Sequence, residues 1–152
     1  MAPSFLLCVI VGVVDGDTIN ARCDMEPAHT LTVRLSEIDA PERRQPFGQR
    51  SKQYLAALCF RQAAEIRPRA TDRYGRTVAR VTCAGTDANA AMVRAGMAWA
   101  FTKYLTHPRI ASLEADARSE RAGLWADAAP VAPWDWRLRA RPGQTNQAIG
   151  AR

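Results

Sequence analysis

The sequence predicts a β-barrel with helices, an α+β chain in which five short strands come early and three α-helices pack onto them. Three observations carry that prediction. A β-branched apolar run from Phe5 to Val14 leads straight into Asp15-Gly16, residues 29–36 alternate with a period of two, and helical spacing begins only after Pro46. The chain has 152 residues, 47% hydrophobic and 24% charged, the size and make-up of one domain with a single core.

The elements follow in order. Asp15-Gly16 favours a two-residue hairpin turn, which joins a strand over 5–14 to one over 17–23. Thr30, Thr32 and Arg34 alternate with Leu31, Val33 and Leu35 in the third strand. Phe47, Ser51, Tyr54, Leu55, Leu58 and Cys59 share a helical period that ends before Arg61. Strands over 62–68 and 76–83 come next, joined by a loop carrying Asp72 to Gly75. Thr86-Asp87 caps a helix that runs to Ala95, with Gly96 as its C-terminal glycine. Pro108 and Gly123 bracket the third helix, which turns Ile110, Leu113 and Ala117 to the core and exposes the Glu114/Arg118 pair.

Trp134 and Trp136 are expected to pack back onto the body, so the domain is drawn over residues 4–136. Residues 137–152, with four arginines and little that is apolar, read as a solvated, disordered basic tail. Five strands in this order, one helix after the third and two at the end fit an OB-fold-like five-stranded Greek-key barrel.

The longest apolar run is about half of what a membrane helix needs, so no membrane partner is expected. A net charge of +6 suits a polyanion partner. Pairing 14 with 17 and 12 with 19 across the turn brings Cys8 opposite Cys23, leaving Cys59 and Cys83 as the second pair. Four reduced buried thiols remain the alternative at this point. The cysteine spacing is unlike a zinc site, and two disulfides would imply an oxidising compartment.

The chemistry lies in three charged blocks. They are Asp15-Gly16-Asp17-Thr18, Arg34-Leu-x-x-Ile-Asp39-x-Pro41-Glu42 and Asp72-x-Tyr74-Gly75-Arg76. Carboxylates suit a hard cation, and guanidiniums fork onto phosphate, which is what phosphodiester hydrolysis asks for. Asp15 reads as a turn residue and Glu37 as solvated. His29 and His107 have no partner spacing and are given no role.

Together the three blocks, with Met92-Val93-Arg94-x-Gly96-Met97-Ala98 and Gly123-Leu124-Trp125, resemble the staphylococcal nuclease (thermonuclease) family over about residues 5–126. The resemblance implies an OB-like barrel and calcium-dependent cleavage of DNA and RNA, with the 5′ oxygen leaving to give 3′-phosphate ends. It implies calcium on Asp17, Asp39 and the main-chain carbonyl of Ala40, where the best-known member has a threonine. Arg34 and Arg76 would clamp the phosphate, and Glu42 would orient or deprotonate the attacking water. Arg73 and Tyr74 would meet a terminal phosphate, and Tyr104 would stack under a base, favouring single strands or frayed duplex.

The stretch Phe101-Thr102-Lys103-Tyr104 lacks the family's second tyrosine. A monomer, secreted or periplasmic, is expected. Two other classes stay open, a non-catalytic nucleic-acid- or peptide-binding module of the same fold and a disulfide-stapled structural protein. Neither accounts for the complete set Asp17, Arg34, Asp39, Glu42 and Arg76.

Overall fold

The computed structural model describes residues 4–24, 29–101 and 108–140. In chain order the elements are β1 (Leu6–Asp15), β2 (Thr18–Cys23), β3 (His29–Leu35), β4 (Ile38–Asp39), α1 (Gly48–Cys59), β5 (Ala63–Thr71), β6 (Thr77–Cys83) and β7 (Thr86–Asp87). Then come α2 (Ala88–Arg94), β8 (Trp99–Ala100), α3 (Pro108–Ser119), a 3-10 turn (Gly123–Ala126) and α4 (Pro133–Ala140).

Five strands make the barrel. They lie in the order β3-β2-β1-β5-β6, and β3 closes onto β6 through a parallel pairing of Val33 with Thr77, Arg34 with Val78 and Leu35 with Ala79. The expected barrel class therefore holds, with four α-helices in place of the expected three. Inward-facing Ile10, Ile19, Val33, Leu35, Ile66 and Val81 meet Leu55, Met92, Val93 and Ile110 of the helices, all essentially without solvent contact. Each such side chain contributes about 1.5–3 kcal/mol of burial.

The first hairpin differs from expectation near its turn. Register shifts between Ile10 and Gly12 and between Val13 and Asp15 put two extra residues into β1, and Asp15 pairs with Thr18. The turn is therefore Gly16-Asp17, not Asp15-Gly16. Beyond the bulges the expected register returns, with Cys8 opposite Cys23. Cys8–Cys23 and Cys59–Cys83 are disulfides, so the described cysteines are all paired. The second bridge ties the end of α1 to the end of β6.

Three further expectations are corrected. Glu37 is 5% exposed rather than solvated, in a left-handed conformation (φ 66°) within the reversal between β3 and β4, and its carbonyl accepts from Phe101 N. Glu114 does pair with Arg118, at 3.2 Å, but it is half-buried because it also accepts from Ala100 N at 2.6 Å, holding β8. Helix α4 runs to Ala140, four residues past the boundary drawn at 136, because Pro133 opens a helix whose Trp134 packs edge-on to Trp99 with centroids 5.5 Å apart. No described helix is long and apolar enough to cross a membrane.

Candidate active site

The bulged hairpin and the reversal after β3 deliver the acidic residues. A side chain at Gly16 would strike Ser51 and Ala40, so only glycine lets the turn settle against the stretch after β4. Asp17 is consequently 5% exposed, and its Oδ2 accepts from Ala40 N at 2.8 Å while Oδ1 accepts from the Thr18 hydroxyl at 2.9 Å. Main-chain atoms of Ala40 and the carboxylate of Asp17 are thereby locked side by side.

Arg34 braces this arrangement from β3. Its Nη1 donates to Leu35 O and Ile38 O at 2.6 and 2.8 Å, fixing the reversal that orients Asp39. Its Nη2 lies 3.5 Å from Asp17 Oδ2 and 3.4 Å from Asp39 Oδ1, so one nitrogen bridges both carboxylates. Asp39 is 1% exposed.

Burial drives the titration of these groups, and their partners decide the sign. Burial pushes Asp17 up, but Arg34 and the hydrogen bonds from Ala40 and Thr18 hold it below its ordinary value. Burial raises Asp39, and there the hydrogen bonds from Arg137 do not fully reverse the effect. Asp15, whose Oδ1 accepts from Asp17 N at 3.1 Å, is pushed up to about 8 by burial and by the Asp17 charge.

Glu42 follows in a loop folded on itself. Its N–H donates to Gln45 Oε1 at 3.0 Å, its carbonyl accepts from Gln45 N, and Gln45 Nε2 donates to Val131 O at 2.6 Å. A side chain at Gly48 would run into the Glu42 carbonyl, so the start of α1 packs directly under this loop.

The residue that the sequence did not suggest is Arg137. Instead of lying in a solvated tail, its Nη1 donates to Asp39 Oδ1 at 3.1 Å and to Glu42 Oε1 at 2.7 Å, and its Nη2 donates to Asp39 Oδ2 at 2.6 Å. A usable signal was present: proline at the first position of a short segment with Asp135 early and Arg137 and Arg139 late is helix-like. Gln45, buried between motif positions, left no such signal.

The third block forms a separate group. Asp72 Oδ1 accepts from the N–H groups of Tyr74 and Arg76, each at 2.9 Å, and Asp72 Oδ2 accepts from Arg76 Nε at 2.7 Å. Tyr74 is 70% exposed, and the guanidiniums of Arg73 and Arg76 lie 5.1 and 5.6 Å from its ring centre. Arg76 immediately precedes Thr77, which pairs with Val33, so the barrel closure brings this turn beside the strand bearing Arg34. Tyr104 lies outside the described residues.

The structure thus gathers Asp17, Arg34, Asp39, Ala40 and Glu42 with Arg137, and sets Arg73, Tyr74 and Arg76 around Asp72. Among the described residues no group of three His, Cys, Asp or Glu side chains converges as a metal site.

The comparisons with known proteins point one way. The family model described as staphylococcal nuclease homologue matches residues 32–127. The chain is 42% identical over 148 residues to the micrococcal nuclease of Shigella flexneri, covering 90% of this chain and 83% of that one. It is 42% identical over 139 residues to protein ParB of Escherichia coli, covering 84% and 77%. It is 39% identical over 134 residues to a Haemophilus influenzae protein described as an uncharacterized endonuclease, covering 88% and 74%. With the five-stranded barrel and the gathered carboxylates and arginines already in view, these matches mean that the chain belongs to the staphylococcal nuclease family.

Proposed function

We propose that this protein is a calcium-dependent nuclease that hydrolyses phosphodiester bonds of DNA and RNA. The observation that carries the reading is the bridging of Asp17 and Asp39 by a single Arg34 nitrogen, 3.5 and 3.4 Å away. The two carboxylates therefore converge on a single point, which supports their holding one hard cation between them. The donors are all hard oxygens, Asp17, Asp39 and the Ala40 carbonyl, which suits calcium and leaves coordination for water and a phosphate oxygen. The nuclease relatives in Shigella and Haemophilus support the same class of reaction.

The bound cation would supply charge neutralisation at the phosphate. The chain's own residues do the rest. Arg34 and Arg76 bind the phosphate oxygens and offset the charge that grows in the five-coordinate transition state. Glu42 orients the attacking water and takes its proton, the water oxygen bonds to phosphorus, and the P–O5′ bond breaks with its electron pair going to O5′, which takes a proton from solvent water to leave a 3′-phosphate and a 5′-hydroxyl. Arg73 and the exposed Tyr74 meet a terminal phosphate, and Tyr104 stacks under a base of a single strand or frayed duplex. Two disulfides fit a secreted or periplasmic protein.

The test is cleavage of single-stranded and duplex DNA, and of RNA, with calcium and with chelator, for the wild type and Glu42→Gln. Cutting is expected only with calcium, with turnover reduced about 10²–10⁴-fold in the variant. Binding without cutting under all conditions would move the chain to the binding modules of this fold.

A further inference from the structure

We propose that Arg137 is a third guanidinium of the nuclease site, which holds Asp39 in competition with the cation and transfers its fork to substrate phosphate once the cation is bound. The inference rests on the metal reading above and deepens it. Its basis is geometric: both oxygens of Asp39 are engaged by Arg137, at 3.1 and 2.6 Å, and the same Nη1 reaches Glu42 at 2.7 Å. Asp39 cannot give an oxygen to a cation on the edge that Arg137 occupies. Glu42 cannot take a proton from water with the oxygen that Arg137 holds.

The two sides of this contact differ in freedom. Asp39 is 1% exposed and is fixed by its strand and by Arg34, whereas the Arg137 side chain is 42% exposed at the end of a long stem. The stem can swing while α4 stays docked through Trp134 against Trp99 and Phe101. Once a cation neutralises Asp39, the nearest new anion for the freed fork is the phosphate, whose oxygens match a planar guanidinium bidentately. Glu42 is released by the same movement, so cation loading and freeing of the water-activating carboxylate are one event.

The experiment is calorimetric titration of calcium into the full chain for the wild type, Arg137→Gln and Arg137→Lys, together with kcat and KM for a single-stranded oligonucleotide at saturating calcium. Removing a cation that competes for Asp39 should tighten calcium binding about tenfold in Arg137→Gln, and the loss of a phosphate contact should raise KM about tenfold. Arg137→Lys keeps the charge without the fork and should fall between on both measures. These opposite signs set the proposal apart from a structural role, which would weaken both. Calcium binding that is unchanged or weaker in Arg137→Gln overturns the competition, and tighter calcium with unchanged KM overturns the transfer to phosphate. If no variant and no wild type binds calcium, the metal reading itself fails and the proposal with it.

Discussion

Arg34 and Arg76 carry the same charge and are assigned the same phosphate, yet the molecule holds them in opposite ways. Arg34 rises from a barrel strand, braces two carbonyls and faces two buried carboxylates. Arg76 lies in an exposed turn and leans on one carboxylate, Asp72, which the same turn supplies. The first is woven into the fold, and the second is built by five consecutive residues. One half of the proposed clamp is thus inseparable from stability, and the other can be changed with little effect on it.

Paired substitutions break the comparison most directly. Arg34→Ala leaves Asp17 and Asp39 facing each other with one cation fewer, so denaturant unfolding should show a loss of about 3–5 kcal/mol along with lost turnover. Arg76→Ala should lower kcat by about 10²–10³-fold while leaving stability within about 1 kcal/mol of the wild type. Equal stability losses in the two variants would mean that the turn is as integral as the barrel floor. A smaller effect concerns the walls around both. The Cys8–Cys23 bridge spans 15 residues, Cys59–Cys83 spans 24, and reducing both should lower stability by about 2–4 kcal/mol per bridge without changing which residues matter for cutting.

The smallest effect is a pH dependence confined to the turn. Slight burial pushes Asp72 up, but the N–H groups of Arg76 and Tyr74 and the Arg76 guanidinium outweigh it and hold the carboxyl below 3.8. A depressed native value means that the contribution is complete above pH 3.8 and disappears as pH falls through the native value. Asp72→Asn should therefore lose a little stability at neutral pH and match the wild type in strong acid. A difference that persists at the lowest pH would point to hydrogen bonding in place of charge.

Local rules account for what the sequence disclosed. Turn dipeptides, the alternation in β3 and the Asp87 cap, which accepts from Ala90 N, are short-range features, and they led to the right barrel and the right cysteine partners. The bulges in β1 were not legible because the accommodation they make is tertiary: they carry Asp17 into contact with Ala40, 23 residues away. Arg137 escaped for a related reason. Its stretch is short and polar enough to resemble a solvated tail, and the aromatic packing of Trp134 that docks it depends on Trp99 and Phe101 far upstream. Glu37 gives no sequence sign of burial, because a charged residue between motif positions reads as exposed and only the reversal between β3 and β4 encloses it.

The bond from Gln45 to Val131 joins residues 86 apart, and the contacts of Arg137 with Asp39 join residues 98 apart. Closing such long loops is entropically the most demanding step of assembly. During synthesis the barrel strands and α1 leave the ribosome well before these residues, so a nascent chain carries Asp17, Arg34, Asp39 and Glu42 for some time before the segment that packs over them exists. Time of emergence, as much as space, separates the acidic floor of the site from its basic cover.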